Sequence, residues 1–462
     1  LLLQCVLVWV TNLLEKLVIM MMRLAFMYAL AFMLFFVSPL HARALSLSEA
    51  CGKAVEYDAK YRAAEADNFV QREEIAKARS SFRPNLSISA ARGRSATESV
   101  SMVTDVTNDL FYNTQNYSVV LKQSVFNLSN FASYSQAKAV ASKSDALLQS
   151  EYASLMVRTL DAYINVLYAG DNLEFSRAHV DASKLQLEQA KHRLVSGYGT
   201  ITEISEAQAS YDMALAEGLE FHNYLELNRR ELENIVGIYS DSLQVLAPEK
   251  MVLAVPEPHD VEQWIAIAYE RNPLREAAVQ DVSYYRKEID KNRALRYPVI
   301  DLIASKAFSE SDNNYSIGTQ YDTYSVRVQM SMSLYSGGNV SSSVRQASGQ
   351  LRGAYEQLSL KERMVASDIR KYYAGIVSSI AQIRAYEQAV KSNEIALTGT
   401  IKGFSSGFRS NVDVLNAQKK LYDSKRNHSK SRYMFILNRV KLKEAAGLLT
   451  NTDIDEISAW MK

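Results

Sequence analysis

The sequence predicts an α+β protein built as two copies of one unit, each copy pairing a β-hairpin of membrane-crossing length with two long antiparallel helices. Three observations predict it: a self-match at a nearly constant offset, strictly alternating segments in matching positions of both halves, and a proline-free helical run after each of them.

The repeat comes first, because a missed period misreads a whole fold. Glu74-Ile75-Ala76-Lys77-Ala78-Arg79, with Pro84 to follow, matches Glu288-Ile289-Asp290-Lys291-Asn292-Arg293, with Pro298 to follow, at an offset of 214. Upstream, Ala54, Ala63 and Ala64 fall on Ala268, Ala277 and Ala278. Further on the offset becomes 210, and Gly197-Tyr198 with Glu203, Ala207 and Gln208 falls on Gly407-Phe408 with Asp413, Ala417 and Gln418. The expected division is a leader over 1–44, a first repeat over 45–247, a linker over 248–259, a second repeat over 260–450 and a tail over 451–462. The linker holds Pro248, Pro256 and Pro258, three of the seven prolines.

Residues 1–44 differ in kind from the rest. Met20-Met21-Met22-Arg23 gives a charged start, Leu24 to Val37 an apolar stretch, and Ala42-Arg43-Ala44 a small-residue cleavage site. This is the pattern of a secretory signal peptide, with translation expected to start at one of the three methionines. Cys5 leaves with the leader, and the lone Cys51, seven residues past the cut, is neither half of an intramolecular disulfide nor a lipid-anchored first residue.

Each half then opens on a hairpin, over 84–127 and 298–336. The cleanest alternation sets Val326, Val328, Met330, Met332 and Leu334 on one face and Ser325, Arg327, Gln329, Ser331 and Ser333 on the other, a period of two that means a strand. Its counterpart runs over 117–126, and the first members of the two pairs run over 85–91 and 299–308. Residues 131–196 and 340–405 lack proline and are rich in helix-compatible residues, so each predicts a helix of about 100 Å. Residues 201–236 and 412–448 predict the returning helices, packed as coiled coils, and 46–81 and 260–296 shorter helical stretches leading into the hairpins.

The chain carries 52 Lys+Arg against 51 Asp+Glu, so no basic surplus points to a nucleic acid. Mean hydropathy is -0.16, and past the leader no apolar run reaches the length of a spanning helix. Strands of roughly ten residues do suffice to cross a bilayer. Four of them cannot close a barrel, and an open edge in lipid leaves backbone groups unsatisfied, so two or more copies must share one barrel. The polar face, with Lys122 and Arg327, is expected to line the lumen, since a cation facing lipid is costly. Asp301 and Lys306 fall on opposite faces of the third strand, which puts one of them near a membrane rim. Phe111, Tyr112, Tyr117, Phe308, Tyr315, Tyr321 and Tyr324 are candidates for an aromatic girdle.

Here the sequence resembles the TolC family. Leu334-Tyr335-Ser336-Gly337-Gly338-Asn339, followed by Val344-Arg345-Gln346-Ala347, is similar to that family's strand-to-helix junction, centred on Gly337 and Gly338. Gly407 to Arg409, running into Val412-Asp413-Val414-Leu415-Asn416-Ala417 and Leu421-Tyr422, is similar to its periplasmic helical turn, and Leu45-Ser46-Leu47-Ser48-Glu49-Ala50 to its mature start. The likeness covers residues 45 to about 450. It implies a homotrimer with a twelve-stranded transmembrane β-barrel in outer-membrane lipid, continuous with a periplasmic helical tunnel. It also implies an export channel of a tripartite efflux pump or type I secretion system that docks a periplasmic adaptor and an inner-membrane pump or ABC exporter. The bottom-up argument alone leaves the number of copies open.

The resemblance also implies gate residues. Asp413 coincides with a constriction-ring aspartate and Arg409 with an arginine of the tip network, while Glu203 matches an aspartate partner by charge. Asn416 replaces a second ring aspartate, and Phe404 stands where the family has a tyrosine hydroxyl. A single acidic ring and a gate held chiefly by Arg409 are therefore expected. Read without the resemblance, Asp413 caps the returning helix.

No catalytic site, metal or cofactor is expected. Gly403-Phe404-Ser405-Ser406-Gly407 satisfies G-x-S-x-G, but a helix precedes it where a nucleophile elbow needs a strand. Gly349 and Gly353 sit in a polar helix, where their spacing means close packing. The six histidines, at 41, 179, 192, 222, 259 and 428, show no metal-ligand spacing, and His179 and His192 read as solvent-facing or packing residues. The alternative, a periplasmic coiled-coil adaptor or tether, would share the leader and the helices but would not need a hairpin in both halves.

Overall fold

The computed structural model describes residues 44–311 and 319–462. The leader, Tyr315 and the tip of the second hairpin lie outside the described residues. By compactness the described chain divides into a small unit, Leu45 with Ser240–Gln244, and a main unit holding everything else. In the small unit Leu45 forms a parallel bridge to Leu243.

The main unit repeats one order twice. α1 (Leu47–Tyr57) and α2 (Ala59–Ser80) lead into β1 (Asn85–Ser101) and β2 (Val106–Phe126), then α3 (Leu128–Val195) and α4 (Ile201–Val236). After the linker come α5 (Val261–Arg271), α6 (Pro273–Ala294), β3 (Val299–Ser311), β4 (Thr319–Ser331), α7 (Asn339–Ser405), α8 (Asn411–Ala445) and α9 (Asn451–Ala459). The long helices run 68 and 67 residues, as the proline-free stretches predict.

Four expectations are corrected. The stretches over 46–81 and 260–296 are each two helices, broken at Asp58 and Asn272, which stand 214 residues apart like the repeat itself. Each side chain caps the second helix, Asp58 accepting from Tyr61 N at 2.7 Å and Asn272 from Arg275 N at 2.9 Å. The first hairpin is longer than its alternation, because polar pairs such as Arg94↔Asn113 and Glu98↔Asp109 extend the ladder without a regular apolar face to mark it. β4 stops at Ser331, short of Leu334, as the chain turns toward Gly337 and Gly338 at φ +63° and +84°. The tail contains helix α9, with Ile454, Ile457, Trp460 and Met461 buried and Arg439 bound to Glu456 at 2.7 Å.

The strands form one antiparallel sheet in the order β1-β2-β3-β4. Register and alternation put Leu86, Leu121, Ala304 and Val326 on one face, with Ile88, Val119, Lys306 and Tyr324 in the next row. The other face holds Lys122 and Arg327 together, in one row with Ile303. Asp301 lies there too and binds Lys122 at 2.8 Å. Lys306 and Asp322 fall on the apolar face as an ion pair at 3.7 Å, with Lys306 4.7 Å from the Tyr324 ring centre and beside a Tyr117–Phe308 ring pair. Tyr112 and Tyr321 fall on the polar face, so of the candidate girdle only Phe111, Tyr117, Phe308 and Tyr324 share the apolar one.

The helical core is richest midway along the long helices, where Leu155, Leu160 and Tyr163 of α3, Ile369 and Ile376 of α7, and Phe435 and Ile436 of α8 are fully buried. No helix among the described residues is long and apolar enough to cross a membrane. Two glycines of α7 give opposite expectations for one substitution. Gly338→Ala should cost about 1–2 kcal/mol through its left-handed backbone, whereas Gly349→Ala, exposed mid-helix with open space around it, should gain about 1 kcal/mol. Denaturant unfolding followed by circular dichroism checks both signs.

Candidate functional site

The two long-helix hairpins turn in the same way. Gly197 and Gly407 both take φ +79°, and each turn closes with a six-to-one bond, Tyr198 N to Arg193 O at 2.9 Å and Phe408 N to Gly403 O at 2.8 Å. A hydroxyl then caps each returning helix. Thr200 Oγ1 accepts from Glu203 N, and Ser410 Oγ accepts from Asp413 N, both at 3.2 Å.

Beyond that point the two turns differ by one methylene. Asp413 reaches back to complete a capping box, its Oδ2 accepting from Ser410 N and Ser410 Oγ at 2.9 Å each. These donors, and then the Arg409 charge, hold the Asp413 carboxyl below its ordinary value. Glu203 occupies the same third helical position but does not close a box, and its Oε2 is buried without a partner. Asp413 is therefore a helix cap in this chain, and its carboxylate stays ionised throughout the neutral range.

The tip contact between the hairpins was not legible as such. Phe404 of α7 is almost fully buried, and the Arg193 guanidinium of α3 lies 4.5 Å from its ring centre while donating to Tyr198 O at 3.3 Å. A ring without a hydroxyl is thus held by a cation over its face. Within this chain no ion pair among the described residues joins Arg409 to Glu203. Arg409 instead packs its aliphatic stem beside Gly403, where a Cβ would stand 2.8 Å from Arg409 Cγ. Asn416 is exposed and lines a cavity of about 550 Å³ between α4 and α8, with Glu206, Glu217, Lys419, Asp423 and Arg426.

Arg193 and Asp171, which sequence reasoning passed over, tie the hairpins together with His179, read there as a solvent-facing or packing residue. The His179 ring stacks on Tyr422 of α8, centroids 5.3 Å apart and planes at 17°. Asp171 accepts from Tyr433 Oη at 3.0 Å and from Ser429 Oγ. A signal existed, since Asn172, Ser176, His179, Ser183, Gln186, Ala190 and Arg193 step along α3 by alternate fours and threes, the spacing of a coiled-coil seam. Its polar composition hid it. Among the described residues no cluster of His, Cys, Asp and Glu is arranged to hold a metal ion. Burial raises the Cys51 thiol to about 12, which leaves it unreactive.

Comparison with known proteins agrees with this architecture. A family model described as outer membrane efflux protein matches residues 52–238 and 264–448, one stretch in each repeat. The chain is 31% identical over 422 residues to the alkaline protease secretion protein AprF of Pseudomonas aeruginosa, covering 90% of this chain and 88% of that one. It is 32% identical over 405 residues to outer membrane protein TolC of Escherichia coli, covering 85% and 80%. Its fold matches the Campylobacter jejuni CmeC outer membrane channel with a TM-score of 0.75 at 15% identity, over 90% of each chain.

The depressed Asp413 value gives a pH expectation. Its capping box contributes fully above the ordinary aspartate range and is lost as pH falls through the lower folded value. Hydrogen exchange in the first turn of α8 should accelerate there beyond its intrinsic rate, and Ser410→Ala should show that loosening already at neutral pH.

Proposed function

The chain belongs to the outer membrane efflux protein family and is an outer-membrane export channel, and we propose that three copies close one barrel whose helical extension is gated at the hairpin tips. The observation that carries the assembly is the sheet. Its outer strands, β1 and β4, leave two open edges that run in opposite directions, so β4 of one copy laid against β1 of the next continues the antiparallel order. Only closure satisfies every backbone group in lipid. In a closed ring the face with Leu86, Val326 and Met330 meets hydrocarbon, and the face with Lys122, Asp301 and Arg327 lines the lumen.

At the other end, three symmetry-related Asp413 carboxylates would form the acidic ring, and Asn416 would leave it single. Ionised at neutral pH, they favour cations at the constriction. Arg193 on Phe404 is the closing contact within each copy, and Arg409, whose charged end forms no ion pair among the described residues, is available to the neighbouring copy, with Glu203 as the matching acid. A periplasmic adaptor and an inner-membrane pump or ABC exporter would deliver cargo to this tip. Support for the secretion side comes from the likeness to a protease secretion protein.

Planar-bilayer recording of the purified protein checks this reading. Small, cation-preferring channels should appear in the wild type, and Asp413→Ala should weaken the cation preference. Phe404→Ala and Arg193→Ala should each raise the conductance, since a contact of about 0.5–2 kcal/mol holds the tip in each copy. Channels with unchanged selectivity in Asp413→Ala would remove that residue from the constriction.

A further inference from the structure

The seam between α3 and α8 changes character along its length. Toward the sheet it is apolar, with Leu155, Leu160 and Tyr163 packed in the same layer of the core as Phe435, Ile436 and Val440. Asp171 marks the change. From there to the tip α3 buries Ser176, Ser183 and Gln186, with Ser176 beside Gly218 of α4, and α8 buries Asn411 and Gln418, each with a polar atom that has no hydrogen-bond partner among the described residues. Two cavities, of about 250 and 550 Å³, flank this stretch, and His179 and Tyr422 line both. Space of that size beside unpartnered polar atoms suits water. Parting the seam on the tip side of Asp171 therefore hydrates groups that lack partners, whereas parting it on the sheet side would expose hydrocarbon. The stacked rings are the contact that has to give.

We propose that His179 is a gating residue whose neutral ring, stacked on Tyr422, holds α8 against α3, and that protonation of this ring lets the seam part and the tip open. The consequence for transport rests on the export-channel reading; the ring chemistry does not. The charged groups around the ring are Glu217 and Glu206 from α4, Lys419, Asp423, Arg426 and Lys425 from α8, and Glu174 from α3 itself, while α7 adds Leu397 to the smaller cavity and Glu394, 3.1 Å from Lys425. Arg426 already lies 5.9 Å from the centre of the Tyr422 ring, so a charged His179 would be a second cation on one aromatic ring.

Burial is the largest influence on His179 and disfavours its charged form. Glu217 and Asp423 oppose that effect, Lys419 adds to it, and the net result is a value below that of ordinary histidine. When the seam parts, water reaches the ring and the value returns toward the ordinary one. The parted state thus binds the proton more tightly, and acidification through the ordinary histidine range and below it favours that state. Each unit of difference between the two states is worth up to a tenfold shift per chain.

Two measurements on the full-length protein test this at pH 7.5 and 5.5: hydrogen exchange, corrected for intrinsic rates, in peptides covering 175–190 and 415–428, and conductance in planar bilayers. In the wild type both should rise on acidification. His179→Phe keeps a stackable ring without the proton and should abolish both rises. His428→Gln removes the other half-buried histidine, which lies on α8 and faces Arg432, Glu387 and Lys391, and should keep both. An unaltered response in His179→Phe, or equal seam protection at both pH values in the wild type, would overturn the proposal. Seam exchange that responds to pH through His179 in a protein that forms no channels would instead uphold the switch and sink the channel reading.

Discussion

A backbone hydrogen bond left unmade in hydrocarbon costs several kcal/mol, and that single constraint organises the barrel end of this molecule. The chain supplies a four-stranded sheet with one apolar and one polar face, and among the described residues no further strand pairs with the outer edges of β1 and β4. No arrangement of one copy removes those edges in lipid. Because β1 and β4 run in opposite directions, the remedy is more of the same chain, and the ring that results fixes which face meets lipid. In the proposed ring the Lys122–Asp301 pair would sit on the wet side, and Lys306, held by Asp322 and Tyr324, would mark the aromatic level of the dry side.

The helical end follows an opposite logic. Where the sheet must leave no polar group unpaired, α3 and α8 bury several polar atoms without hydrogen-bond partners among the described residues between Asp171 and the tip. An interface of that kind is weak by construction, and weakness there is what a gate needs. The apolar core at the level of Tyr163 and Phe435 supplies the rigid end against which it can move.

Duplication accounts for the close match between the two halves and also for where they part. Asp58 and Asn272 break and cap equivalent helices, and Gly197 and Gly407 turn equivalent hairpins. The residues proposed for the gate are those in which the copies diverge. Asp413 closes a capping box that Glu203, one methylene longer, leaves open, and Arg193, whose repeat counterpart is Gly403, reaches across to Phe404. Duplication gives the frame, and asymmetry between the copies gives the tip its contacts.

The sequence by itself determined whatever depends on period and on local chain chemistry. Alternation by twos marked the strand cores, proline absence marked the long helices almost to the residue, and the offset of 214 tied the halves together. Glycine positions marked the turns. It could not reach the polar extension of the first hairpin, where no hydrophobic face records the register, nor the docking of α9, whose partners lie far along the chain. Above all, the contacts that join one hairpin to the other belong to tertiary structure alone. Asp171 meets Ser429 and Tyr433 some 260 residues away, and His179 meets Tyr422 at a similar remove. A helix period says which residues share a face, but only the packing of two helices decides which residues on those faces touch.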